Sequence, residues 1–247
     1  MPWWLWPNVL ALDAPTVAVI WQRFLADAFE VAVPVAASLV LGLVVWGIYL
    51  FDRMLDGVRS GQTQHRHRFA ARHSKLVTTV AGLAFLVAGL LTPLLPWPYL
   101  LAGGITAVLV AAYLAVIHLA GVPHVGGKEC LVGVLFATGV GIPLIASSVS
   151  PSAWLPALVG FGFACWFNCR LIDECEQMRH PSSTRDWYLG FAITGCALFS
   201  PLTVAVALVL ANGLLLVLHF AQTRHGNTIN ALADVALLTP SAVWLVS

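Results

Sequence analysis

Long stretches without a charged residue dominate the chain and predict its helices. Uncharged stretches of 21, 52, 40 and 37 residues lie between Glu30 and Asp52, Lys75 and Lys128, Glu129 and Arg170, and Asp186 and Arg224. A helix that spans a bilayer needs about 20 predominantly apolar residues, so these stretches predict one, two, two and two spans. The segment from His225 to Ser247 carries a single charge, Asp234, and predicts an eighth span.

Proline-containing segments mark the ends of the paired spans. The segments "TPLLPWP" near Pro93, "SVSPS" near Pro151 and "FSPL" near Pro201 are uncharged and predict hairpins, because proline ends a helix and redirects the chain. The first 28 residues mix aromatic and charged side chains. We expect residues 1–28 to form an interfacial or partial helix, with a ninth span left open, and residues 29–247 to form the helical bundle. A signal peptide is not expected, since a positively charged start and a small-residue cleavage site are missing.

The composition agrees with a protein embedded in a lipid bilayer. Hydrophobic residues make up 60% of the 247 residues and charged residues 9%, and the mean hydropathy is +0.88. Soluble domains average about 25% charged residues, so a water-soluble globule and a disordered chain are both excluded. The net charge of +1 provides no basic field for nucleic acid. The predicted fold class is therefore all-α, a multi-pass transmembrane bundle of eight to nine helices.

The basic residues indicate which side of the membrane each connection occupies. Eleven of the twelve lysines and arginines fall on alternate connections between predicted spans. Alternate connections share one side, and the positive-inside rule makes that side cytoplasmic. We therefore expect a multi-pass protein of the cell (inner) membrane whose polar chemistry faces the cytoplasm.

Two predicted spans end in acidic clusters on this side. Asp52 and Asp56 stand four residues apart in "FDRMLDGVR", so they share one helix face. Asp173, Glu174 and Glu176 end the fifth span, and Asn168 lies two turns before Glu176 on the same stripe. A solvated helix end, with the acids paired to arginines nearby, is the alternative interpretation.

Converging carboxylates repel one another unless a cation joins them. Mg²⁺ takes oxygen ligands, and it commonly binds through one or two carboxylates together with phosphate oxygens. The pattern therefore suggests that the acids of the two clusters, among them the four carboxylates Asp52, Asp56, Asp173 and Glu176, hold a diphosphate through Mg²⁺.

Other polar residues complete the candidate site. Lys128 begins the fourth span, where a lysine is costly enough to be a functional candidate, although snorkelling to the interface is the alternative. Arg53 and Arg72 are further phosphate-binding candidates, while orientation and lipid headgroups explain most of the nearby basic residues. Asn230 and Asp234 form a polar stripe for either an interhelical hydrogen bond or a substrate contact. The five cysteines show no paired spacing and indicate packing residues, and His219 is predicted to be interfacial.

These segments resemble the motifs of the UbiA superfamily of intramembrane prenyltransferases. "DRMLD" is similar to the end of its first aspartate-rich motif, "HVGGKECLVGVLFATGVGIP" to its lysine segment, and "NCRLIDECEQMRHPSS" occupies the place of its second motif. Ile48 and Tyr49 stand where the family has Asn and Asp, so Tyr49 is a candidate for lining the cavity. The resemblance implies two pseudo-equivalent four-helix halves within residues 29–247.

The resemblance also implies a reaction. An isoprenyl group would pass from an isoprenyl diphosphate to a hydrophobic acceptor, with Mg²⁺ held by the four acids and Lys128 on the phosphate oxygens.

A membrane terpene cyclase keeps the same fold, and the spacing of Asn168 and Glu176 is partly similar to a metal motif of terpene synthases. A degenerate lipid-binding or scaffold member is the non-enzymatic alternative. A CDP-alcohol phosphotransferase is disfavoured, because no second acid pair follows "DRMLDGVR". A transporter fits less well, since the acids lie at helix ends.

Overall fold

The chain is helical throughout the part that the computed structural model describes. The described residues are 6–59, 69, 72–119, 127–176, 183–221 and 226–245, with the backbone alone described at 56–59, 118–119, 176, 183–185 and 226–229. No β-strand occurs among these residues. The helices are α1 (Trp6–Val9), α2 (Asp13–Ala28), α3 (Val35–Arg59), α4 (Ser74–Leu91), α5 (Trp97–Leu119), α6 (Lys128–Val140), α7 (Ile142–Ile145), α8 (Pro151–Glu176), α9 (Ser183–Ala197), α10 (Leu202–Ala221), α11 (Gly226–Ala236) and α12 (Thr239–Trp244).

Five helices within the described residues are long and apolar enough to cross a membrane. Their spans are Val35–Leu55, Ser74–Leu94, Trp97–Ile117, Pro151–Cys175 and Leu202–Ala221. The expectation of an all-α protein with membrane-spanning helices is thereby confirmed at this level. The α5 span is only 6% buried within the protein, which leaves almost its whole apolar surface for lipid.

The helix breaks occur at the predicted proline segments. A short 3₁₀ turn, Thr92–Leu94, follows α4, and α5 begins at Trp97. Pro151 is the first residue of α8, and Pro201 immediately precedes α10. Proline is tolerated at a helix start, because the N–H groups of the first turn have no intrahelical partner and the absence of one of them therefore costs no hydrogen bond. These three predicted hairpin positions are confirmed as helix boundaries.

The N-terminal segment contributes to the core. Trp21 of α2 is fully buried and stacks on Phe161 of α8, with ring centroids 4.5 Å apart. The Trp21 indole N–H donates a hydrogen bond of 2.6 Å to the Leu237 carbonyl, which lies just after α11. Helix α2 therefore joins α8 and the C-terminal helices inside the bundle, while Trp6 of α1 is exposed.

Small residues allow α6 and α8 to approach closely. A Cβ atom placed on Gly133 of α6 would lie 2.6 Å from the Gly162 carbonyl oxygen and 3.0 Å from the Trp166 backbone nitrogen of α8. Backbone atoms cannot move aside as a flexible side chain can. Close backbone approach at small residues is a principal source of helix association in membranes, so Gly133 sets the spacing of this helix pair.

We predict that Gly133→Ala destabilises the protein by about 1–3 kcal/mol, the usual cost of overpacking. Gly82→Ala on α4 is the matched control, because nothing in the described part of the chain lies within 4 Å of a Cβ placed there. Alanine favours a helix over glycine by about 1 kcal/mol, so this control should be neutral or stabilising. Unfolding titrations in mixed micelles measure both variants. Equal effects of the two substitutions would contradict the close packing.

Candidate functional site

The structure brings together two of the predicted site residues at one end of the bundle. Lys128 is the first residue of α6, and its Nζ lies 3.2 Å from Oδ1 of Asp173 near the end of α8. Gly127 precedes it with φ of +96°, a left-handed conformation that glycine adopts readily. This turn directs the chain into α6 with Lys128 at the helix start. Lys128 also lies 4.0 Å from Glu129, so the ammonium group faces two carboxylates.

The other predicted ligands lie at helix ends as expected. Asp52 is half-buried in the last two turns of α3. Asp56 and Glu176 continue α3 and α8, and their side chains lie outside the described residues. Arg72 is exposed ahead of α4. Half-buried carboxylates such as Asp52 and Asp173 have the oxygen donors that suit Mg²⁺.

A continuous polar network connects the α3 and α8 sides of the interior. Arg53 of α3 is buried, forms an ion pair of 3.3 Å with Asp13 of α2, and donates to the Asn8 carbonyl. The Asn8 amide donates to Asp13 at 2.7 Å and to Asp234 of α11 at 3.3 Å. The Asn168 amide of α8 donates to the other oxygen of Asp234 at 3.0 Å. We call these five residues the interior polar network.

The two acids of this network share their partners. The Asn8 amide donates to both Asp13 and Asp234, and the Arg53 guanidinium lies beside Asp13. Burying a carboxylate without a hydrogen bond or a cation is costly, so these contacts make the two acids tolerable in an apolar bundle.

Tyr49 and Asn230 lie beside the network. The Tyr49 ring contacts Phe136 edge-on, with centroids 6.5 Å apart, and packs against the hydrophobic core. Tyr49 therefore faces the bundle interior. Asn230 is buried on α11 one turn before Asp234. The stripe predicted from these two positions faces the bundle interior.

The structure gives Arg53 a different binding partner from the one that we expected from the sequence. We expected Arg53 to contact phosphate oxygens, but its guanidinium is buried and paired with Asp13. The partner lies 40 residues earlier in the chain, in a segment whose position relative to α3 no local pattern reveals. Asp13 and Asn8 were accordingly missed as interior residues. The one available signal was a charged residue, Asp13, in a segment rich in aromatic and aliphatic side chains.

A second group of charges is buried where α8, α9 and α10 meet. Arg170 donates to Glu174 at 2.6 Å and to Asp186 at 3.0 Å, and His219 Nδ1 lies 3.5 Å from Asp186 Oδ2. We call these four residues the buried charge cluster. His219 is only 3% exposed, so its side chain is enclosed within the protein near the end of α10. The spacing of Arg170 and Glu174 signals an ion pair on one helix face, whereas the other two partners are distant in sequence.

We predict that Arg53→Met lowers the free energy of unfolding by about 3–5 kcal/mol, because it leaves the Asp13 carboxylate buried without its cation. Adding Asp13→Leu should recover much of that loss, since an apolar pair replaces a broken ion pair. Unfolding titrations in mixed micelles measure both variants. Arg72→Met is the matched control at an exposed arginine and should change stability by less than about 0.5 kcal/mol. A small loss for Arg53→Met would show that the pair is not buried.

The chain matches no protein-family model, no curated protein and no solved structure. Its own residues therefore provide the support for a function. Those residues form an apolar helical bundle in which Lys128 pairs with Asp173, Asp52 lies half-buried in the last two turns of α3, and a polar network links α3 to α8.

Proposed function

We propose that this protein is a UbiA-type, membrane-embedded and Mg²⁺-dependent prenyltransferase. It transfers an isoprenyl group from an isoprenyl diphosphate to a lipophilic or aromatic acceptor within the bilayer. The proposal includes a bundle of eight to nine helices in the cell membrane, with the site facing the cytoplasm. The alternation of basic connections supports that orientation.

One observation carries the proposal: Lys128 at the start of α6 pairs with Asp173 near the end of α8. A second set of contacts links α3 to α8, since the network leads from Arg53 through Asp13, Asn8 and Asp234 to Asn168. Helix α8 is therefore joined to α6 through Asp173 and to α3 through the network. Such an arrangement suits a diphosphate held between two carboxylate-bearing helix ends.

Each group at this end has a distinct role in the proposed reaction. Asp52, Asp56, Asp173 and Glu176 are the residues that would hold Mg²⁺. When bound, the ion neutralises charge that develops on the departing diphosphate. The Lys128 ammonium binds phosphate oxygens, and its present pairing with Asp173 keeps it beside those carboxylates. We assign Arg53 to supporting the interior, since Asp13 already holds its guanidinium.

The interior below the helix ends suits the hydrophobic substrates. The apolar residues of the bundle accommodate the isoprenyl chain and exclude water, which would otherwise capture an allylic cation. Tyr49, Asn168, Asn230 and Asp234 place hydroxyl, amide and carboxyl groups within that apolar volume. These groups orient the polar head of an acceptor by hydrogen bonding, which is the usual role of a few polar residues in an apolar pocket.

The decisive experiment measures release of inorganic diphosphate by purified protein in nanodiscs. Geranyl, farnesyl and geranylgeranyl diphosphates are supplied with Mg²⁺, with and without a quinone-precursor or lipid acceptor panel. Asp52→Asn and Asp173→Asn should each reduce the rate by about 100-fold or more, because metal-bound stabilisation of the leaving group is worth several kcal/mol. The matched control is Asp27→Asn, because Asp27 is exposed near the C-terminal end of α2. This variant should retain full activity.

The pattern of results separates the alternatives. Release that requires an acceptor supports prenyl transfer, whereas acceptor-independent release with a cyclic product identifies a terpene cyclase. Folded protein that releases no diphosphate from any donor would overturn the proposal and leave a non-catalytic bundle. If Asp52→Asn and Asp27→Asn were equally active, Asp52 would not be part of the active site.

We further predict that Lys128→Met raises KM for the diphosphate donor by about 10- to 100-fold. A hydrogen bond to a charged group contributes about 1.5–3 kcal/mol, which corresponds to that range. Steady-state kinetics at saturating Mg²⁺ provide the measurement. Lys75→Met is the matched control, because Lys75 is exposed near the start of α4, and its KM should be unchanged. An unchanged KM in Lys128→Met would contradict the phosphate contact.

A further inference from the structure

The buried charge cluster lies apart from the proposed prenyl-transfer site. Arg170 and Glu174 project from α8 towards Asp186 at the start of α9 and His219 at the end of α10, whereas Asp173 pairs with Lys128 of α6. Asp186 is 1% exposed and His219 is 3% exposed. The His219 ring also lies near Phe167 and Phe220. The cluster is thus enclosed and bordered by aromatic rings.

Two atoms of the cluster, Asp186 Oδ2 and His219 Nδ1, face each other without a hydrogen bond between them. Among the described residues, neither Asp186 Oδ2 nor His219 Nδ1 has a hydrogen-bond partner, although both are buried. They are 3.5 Å apart, whereas an N–H···O hydrogen bond is normally about 2.9 Å long. Arg170 already binds the other Asp186 oxygen. Burying such polar atoms unsatisfied is costly, so a group between them would relieve that cost.

The separations within the cluster suit a shared metal ion. One ligand atom each from Glu174, Asp186 and His219 lies within 4.8 Å of the others. Imidazole nitrogen and carboxylate oxygen bind Zn²⁺ at about 2.0–2.2 Å in a tetrahedral arrangement, which places two ligand atoms about 3.3–3.6 Å apart. The 3.5 Å between His219 Nδ1 and Asp186 Oδ2 falls in this range.

Charge and donor type restrict the kind of ion. The two carboxylates and the one guanidinium leave one negative charge in the enclosed cluster when His219 is neutral, which favours a bound cation. The imidazole nitrogen favours zinc and related transition metals over Mg²⁺, which prefers oxygen ligands alone, and carboxylate oxygens also bind zinc. Arg170 orients both carboxylates by binding one oxygen of each, as groups that support metal ligands commonly do.

We propose that Glu174, Asp186 and His219 form a binding site for a divalent transition metal of the zinc class. The site connects α8, α9 and α10 near one end of the bundle, and Arg170 positions its carboxylate ligands. It is separate from the Mg²⁺ and diphosphate site, and its existence does not depend on prenyl transfer. An ion here would link α8, α9 and α10 through one ligand from each helix.

The test measures metal bound to the full-length protein in nanodiscs after tag removal and chelator treatment. Zn²⁺ or Co²⁺ is titrated in the presence of excess Mg²⁺, and the bound ion is quantified by elemental analysis after gel filtration. Because His65, His67 and His73 are close in sequence, the variant with all three changed to Ala provides the background. We expect this background to bind one ion per chain and to show a raised unfolding temperature with the ion.

Two variants examine the ligands in that background. His219→Gln and Asp186→Asn should weaken Zn²⁺ binding by more than about 100-fold, beyond the 10- to 100-fold typical of a residue that only supports a ligand. Asp173→Asn is the matched control, with the same substitution on a carboxylate that pairs with Lys128, and it should bind normally. If a variant fails to fold, X-ray absorption of the Zn²⁺-loaded background identifies the ligands, and imidazole and carboxylate scattering is expected.

Two results would overturn the proposal. The first is background protein that binds no stoichiometric ion, which leaves the cluster as a group of buried ion pairs. The second is Zn²⁺ binding that His219→Gln and Asp186→Asn do not weaken, or an absorption spectrum without an imidazole ligand. None of these measurements depends on diphosphate release, so failure of this site is distinguishable from failure of the proposed reaction.

Discussion

The ion pair between Arg53 and Asp13 is the contact on which the interior of this bundle depends. An apolar bundle cannot bury a lone carboxylate or a lone guanidinium, and each of these two groups makes the other tolerable. Once paired, Asp13 can also hold Asn8 and interact with Asp234, and Asp234 in turn receives the Asn168 amide. The segment before α2, together with α2, α3, α11 and α8, is thereby joined through polar contacts at the level where a substrate's polar head would lie.

Helix α8 organises both polar regions of the protein. Its 26 residues carry Asn168 and Asp173 towards α11 and α6, and Arg170 and Glu174 towards α9 and α10. The approach of α6 at Gly133 fixes one side of this helix, and the buried charges fix the other. Because a helix presents successive residues about 100° apart, neighbouring residues in "NCRLIDE" serve different regions. A change in the rotation of α8 would disturb both regions at once.

Much of the fold was accessible from the sequence, because membrane insertion imposes simple rules. Charge-free stretches predicted the five long helices, and prolines predicted several of their ends. The fourth, sixth and eighth predicted spans are instead helices of 13, 15 and 11 residues in the described part of the chain, shorter than the about 20 residues that a span needs. The sequence predicted Lys128 and Asp173 to lie on the same side of the membrane, which is consistent with their pairing in the structure. Tertiary pairing was not accessible in the same way: Asp13 with Arg53, and Asp186 with His219, join residues 40 and 33 positions apart. No local pattern identifies such partners, since the same residues at helix ends would be equally stable in water or among lipid headgroups.

The contrast between α5 and α8 has a consequence for how this chain tolerates sequence change. The α5 span is 6% buried within the protein, whereas the α8 span is 50% buried. Lipid chains are fluid and adapt to any apolar outline, so α5 is constrained by hydrophobicity and length and hardly by shape. Side chains of α8 meet fixed neighbours and are constrained by volume and polarity at nearly every turn. Related chains should therefore diverge freely in α5 among Leu, Val, Ile and Ala, and they should retain more of the residues of α8.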